Sequence, residues 1–190
     1  MINPSVAVAA MALLSAVVMQ DAPEPFRPFT IRAYSLVNGV AFDGNDDTMF
    51  FALLNREVKA HRGRPDSTAP ETGIYSSHRT PEGWSEPALL PFSGPEFGEG
   101  DPQLARNGSY LIFTRWDHRA GWQQTCDLWI SFRGTVGWTE PVPLVELNTP
   151  QPDYAAAISP DGRWLYYRAG GRYQRRLLAP IIAAAIERTT

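Results

Sequence analysis

At 190 residues and 44% hydrophobic, the chain is long enough to bury a core, as one domain or as two small ones. Seventeen prolines and fifteen glycines, against few helix-periodic stretches, point to a turn-rich all-β protein. A net charge of −3 with scattered basic residues argues against nucleic acid as the main partner.

The chain opens on an apolar run of 14 residues, Val6–Met19. That is short for a membrane span and the right length for the core of a signal peptide. No Lys or Arg precedes it, and Ala22 is followed by Pro23 rather than by a small-residue cleavage site. The expectation is a signal peptide over residues 1–22 and export to the periplasm or beyond. An uncleaved anchor is the rival. Residues 23–36 then read as a linker, Pro-rich around Asp21–Phe29.

From there the chain repeats itself. Ile74–Arg79 precedes Leu128–Arg133 by 54 positions, and the same offset carries Gly83-Trp84-Ser85-Glu86-Pro87 onto Gly137-Trp138-Thr139-Glu140-Pro141. It also carries Leu104–Phe113 onto Ile158–Tyr167. The earliest copy, Phe42–Phe51, needs an offset of 62 to reach Leu104–Phe113, which leaves eight extra residues around Arg56–Thr72. Four apolar runs per period, parted by turn residues, form a four-stranded antiparallel unit of the kind that propeller blades show. Units are expected at about 37–90, 99–145 and 153–173, inside a repeat domain spanning 37–173.

Within a unit, each strand has a place. Asn107-Gly108 and Asp161-Gly162 lie between apolar runs and accept the positive φ of a tight turn, so the first two strands form a hairpin. Pro87 and Pro141 cannot donate to a ladder, which puts the Trp-x-Glu-Pro segment on the outermost edge. Trp84 and Trp138 are then apolar anchors between units, or plain core residues. The third unit looks incomplete: nothing after Tyr167 matches the third strand or the Trp-x-Glu-Pro segment. Residues 174–190 instead read as a short helix opened by Pro180, with Ile181, Ile182, Ala185 and Ile186 on one face, covering the last sheet's edge. Arg172, Arg175 and Arg176 read as a solvated face.

Glu-Gly-Asp-Pro at 99–102, Ser159-Pro160-Asp161-Gly162 and its following Leu-Tyr-Tyr, Asp127–Arg133, and Gly137–Pro141 together resemble the WD40-like β-propeller repeats of the TolB type. The resemblance covers roughly Val37 to Tyr167. It implies an exported or periplasmic propeller that binds proteins or cell-envelope components, in a six-bladed ring. Two full units and a fragment do not close such a ring, so the chain either self-associates or is a truncated member.

In such a ring, the first strand of each blade lines the channel. That singles out Glu99 and Asp101, with Asp153 and Tyr154 at similar positions in the next unit, for a cation or a basic partner. The alternative for these residues is turn capping. Ser159–Trp164 falls short of a sialidase Asp-box, because glycine follows the aspartate directly. No nucleophile–base order, Gly-x-Ser-x-Gly or His-x-x-x-His spacing appears. Arg56, Lys59, His61, Arg62 and Arg64 form an anion-binding loop or a solvated one. Cys126, the lone cysteine, reads as a small buried hydrophobe. The expectation is a cofactor-free, metal-free binding scaffold. The rival is a propeller-type hydrolase fragment, glycosidase or peptidase-associated.

Overall fold

In the computed structural model, residues 34–55 and 70–189 are described; the apolar run Val6–Met19 and the basic loop residues 56–64 lie outside them. The first unit comprises β1 (Tyr34–Phe42), β2 (Thr48–Asn55), β3 (Thr72–Thr80), β4 (Gly83–Trp84) and β5 (Ala88–Leu89). The second holds β6 (Phe97–Leu104), β7 (Tyr110–Asp117), α1 (Trp122–Thr125), β8 (Asp127–Gly134), β9 (Gly137–Trp138) and β10 (Val142–Pro143). The third has β11 (Tyr154–Ile158), β12 (Trp164–Ala169) and β13 (Arg172–Leu177), followed by α2 (Leu178–Glu187). All strand pairs are antiparallel. The protein is all-β, as the composition implied.

The repeat holds at the level of single hydrogen bonds. In the first hairpin turn of each unit, one amide closes the turn: Asp46 to the Asp43 carbonyl, Gly108 to Ala105, Gly162 to Ser159. The three donors are left-handed, with φ of 58°, 70° and 71°. Further out, the Ser77 hydroxyl donates to the Ser85 carbonyl at 2.7 Å, and Ser131 does the same to Thr139 at 2.6 Å. These pairs are 54 residues apart, like the sequence matches.

Among the described residues, two hydrophobic clusters join the three sheets. β7 is buried on both faces, so its side chains alternate between them. Leu111 and Phe113 meet Phe50, Ile74 and Leu90 of the first unit and Phe92 of the connection that follows it. Ile112 points the other way, into a cluster with Leu128, Ile130, Leu144, Leu165 and Tyr167. Each such side chain contributes about 1.5–3 kcal/mol on burial.

Several expectations need correction. The outermost edge is occupied as expected but in two pieces: β4 and β9, which hold Trp84 and Trp138, pair with the outer side of β3 and β8, and β5 and β10 pair further along the same edge. Gly83 and Gly137, with φ of 132° and 134°, turn the chain back after β3 and β8, the Ser85 and Thr139 amides still donate to His78 and Phe132, and Pro87 and Pro141 lie in the interval between the two pieces. Trp138 does join units, edge-on to Phe50 at 5.6 Å, whereas Trp84 packs on Phe42 of its own unit at 6.0 Å. The third unit has a third strand after all, β13, reached through the two-residue turn Gly170-Gly171. Strand therefore occupies part of the segment read as helix, and α2 starts only at Leu178. Its buried face is Leu178, Ile181 and Ala185, while Ile186 is exposed. That face fills the joint between the second and third units, and no strand among the described residues pairs with the outer edge of β13.

Candidate functional site

The first strands of the three units break register at one equivalent place: Asn38/Val40, Gly100/Gln103 and Tyr154/Ala157. Each break holds a left-handed residue, Gly39 at φ 62°, Asp101 at 50° and Ala155 at 55°. These are β-bulges, which bend a strand and re-aim its side chains. The first two touch: a Cβ on Gly39 would lie 2.8 Å from the Asp101 Cα, so only glycine fits there. Asp101 and Ala155 hold a conformation that costs a non-glycine residue about 1 kcal/mol or more.

The four residues singled out in the sequence all lie at or beside these bulges, with different surroundings. Glu99 is fully buried. Its carboxylate accepts Arg115 Nη2 at 2.6 Å and Nε at 3.0 Å, the Ile74 amide at 3.3 Å, and the Ser93 hydroxyl. Burial pushes its acidity toward the neutral form, against the pull of Arg115 and these donors. Asp153 is equally buried and ties the Thr149 amide and hydroxyl to the Gly170 amide. Both carboxylates are therefore engaged in joining segments.

Asp101 differs. It is half-buried, has no hydrogen-bond partner among the described residues, and burial raises its carboxyl above the usual range. Asp127, at the start of β8, is raised by burial and by Asp153. The buried Cys126 thiol is pushed far up by burial first and then by Asp127, Asp101 and Asp153. Among the described residues, no group of three or more His, Cys, Asp or Glu is placed to hold a metal ion. Tyr154 receives a hydrogen bond from Arg168, which stacks on its ring at 5.2 Å, and meets Trp122 edge-on at 5.0 Å.

Two residues here escaped the sequence reading. Arg115 is caged by Phe97 at 4.8 Å, Trp129 at 5.1 Å, Phe113 at 5.5 Å and Phe92 at 5.8 Å. Its position directly opposite Glu99 is fixed by strand register, which sequence does not print. Trp122 comes from α1, in the connection that the third unit lacks.

No family model and no curated protein matches the chain. Among solved structures, it is similar to the Hadza microbial sialidase Hz136, at 15% identity and a TM-score of 0.42, over 71% of this chain and 32% of that one. It is also similar to a protein of unknown function from Dyadobacter fermentans DSM 18053, at 15% identity and a TM-score of 0.44, over 78% of this chain and 52% of that one. The chain thus spans about a third and about half of these two proteins.

Proposed function

We propose that this chain is a partial, TolB-like β-propeller, exported to the periplasm or beyond, that acts as a cofactor-free scaffold binding a protein or cell-envelope component. On this reading, the units are blades and β1, β6 and β11 line a channel. Self-association supplies the missing blades. The observation that carries it is the alignment of the three bulges at Gly39, Asp101 and Ala155. Strained backbone persists where the surroundings hold it, and such residues cluster at ligand sites.

Asp101 is the binding group in this arrangement. A half-buried carboxylate without a hydrogen bond is stabilised by an arriving cation, so a lysine or arginine of the partner fits it. Glu99 and Asp153 hold the scaffold beneath it. Export rests on the apolar run Val6–Met19.

The test is site-directed photo-crosslinking in a bacterial envelope, with the photoreactive residue in place of Asn38, which is exposed and lies beside Gly100, or of Glu82, which is exposed and distant in sequence. Discrete adducts from position 38 and none from position 82 support the reading. Equal labelling from both, or turnover of a fluorogenic sialoside by the purified chain, overturns it in favour of a hydrolase fragment.

A further inference from the structure

Among the described residues, the third unit has no counterpart of the strand that completes the other two. In the second unit, β10 pairs with β8 at Ile130 and Trp129, and the Leu144 amide donates to the Leu128 carbonyl at 2.8 Å. In the first, β5 pairs with β3 at Ser76 and Tyr75, and Leu90 donates to Ile74 at 2.9 Å. Ile130 faces Ile112 across the ladder, and Tyr166, the counterpart of Ile112, faces Arg175. So Arg175 stands where Ile130 stands, Gln174 where Trp129 does, and Tyr173 where Leu128 does. No strand among the described residues pairs with the outer edge of β13.

The backbone of that edge is directed outward. The Leu178 amide donates to the Arg163 carbonyl at 2.9 Å, which makes 163/178 a bonded pair of the β12–β13 ladder. Bonded and non-bonded pairs alternate in an antiparallel ladder. The amides and carbonyls of Tyr173, Arg175 and Leu177 therefore point away from β12. All six residues of β13 are exposed, Tyr173 at 80%.

The chemistry around this edge is one-sided. Residues 162–186 contain Arg163, Arg168, Arg172, Arg175 and Arg176 and no Asp or Glu, in a chain whose net charge is −3. The Arg175 guanidinium is laid over the Trp164 ring at 4.5 Å, which fixes its direction. At the end of β13, a hollow of about 370 Å³ is lined by Leu147, Arg176, Leu177, Pro180 and Ile181 and by Glu146.

We infer that β13 is a docking edge for an extended acidic polypeptide segment, which adds as the fourth strand of the third sheet. Backbone pairing with Tyr173, Arg175 and Leu177 supplies the affinity of strand addition. The arginines select Glu or Asp on the incoming strand, and the hollow takes an apolar side chain beside Leu177. A second copy presenting the same edge would set arginine against arginine, so charge disfavours it. This inference is independent of the proposed scaffold function at Asp101.

The alternative account of the arginines is that they only keep an open edge from pairing. Fluorescence anisotropy on the full chain separates the two, with a labelled ten-residue peptide alternating Glu and Val as the probe. Saturable binding that weakens with salt is expected, and Arg175→Glu weakens it about tenfold or more. Arg175→Gln is the milder variant, and circular dichroism shows whether either variant keeps the strand signal. The decisive control is the same peptide with two valines replaced by proline, which keeps the charge but cannot pair; its binding falls to baseline. No binding, equal binding of the proline peptide, or tighter binding of an oligothymidylate of equal charge overturns the inference.

Discussion

Glu99 and Arg115 face each other across β6 and β7 with 2.6 Å between Oε1 and Nη2, and their side chains are only 1% and 5% exposed. The pair also reaches the first unit through the Ile74 amide, and the connection after it through the Ser93 hydroxyl and the Phe92 carbonyl, which accepts Arg115 at 3.0 Å. Truncating one partner leaves an uncompensated buried charge. Glu99→Ala is therefore expected to cost about 3–5 kcal/mol in urea unfolding, with an unchanged dependence on denaturant. Combining Glu99→Leu with Arg115→Met should cost less than the two single changes added together. A single-site loss below about 1 kcal/mol would mean that the pair is solvated in solution.

Asp101 carries strain that glycine does not. Asp101→Gly is expected to raise the unfolding free energy by about 1 kcal/mol, because the left-handed conformation at φ 50° suits glycine. The same change removes the carboxylate, so partner capture through this site should be lost while stability rises. Thermal unfolding and crosslinking on one preparation read both effects. A destabilised variant would show that the carboxylate itself holds the bulge.

The first hairpin turns offer a matched exchange. Asp46 occupies the place of Gly108 and Gly162, and a Cβ on Gly162 would meet nothing within 4 Å. Conformation alone then sets the outcome. Asp46→Gly should stabilise by about 0.5–1 kcal/mol and Gly162→Ala destabilise by a similar amount, as shifts in the denaturation midpoint.

Alkaline stability follows from Cys126 and Tyr110. Burial raises the pKa of both groups in the folded chain. The unfolded chain ionises a thiol near pH ~8.5 and a phenol near pH ~10, while the folded chain does not. The stability these groups support is thus fully present below those values and is lost as pH climbs through them. Unfolding free energies measured from pH 7 to 10 should fall, and Cys126→Ala should flatten the early part of that decline. An aromatic disulfide reagent should label Cys126 only on unfolding; rapid labelling of the native chain would contradict the buried placement.

What the sequence made legible was local. Asn107-Gly108 and Asp161-Gly162 announced their turns because positive φ restricts composition so strongly. The 54-residue offset carried the strands between those turns, and the hydrogen bonds obey it. β13 was hidden for two reasons. Gly170-Gly171 replaces the longer α1-bearing connection, which shifts the register off the repeat, and Arg172–Leu177 has no apolar alternation to betray a strand. The engagement of Glu99 was hidden because Ile74, Ser93 and Arg115 come from three places in the chain. Their convergence exists only once two sheets have met.

The placement of α2 has a consequence for synthesis. The first joint is complete once β8 and β9 have formed, so the first two units can assemble while translation continues. The second joint waits for Leu178, Ile181 and Ala185, and Arg188 fastens it by pairing with Glu146 and donating to the Pro143 carbonyl at 3.3 Å. Until those residues leave the ribosome, the cluster of Ile112, Ile130, Leu144, Leu165 and Tyr167 lacks part of its apolar cover. During that interval a nascent-chain chaperone has a surface to hold.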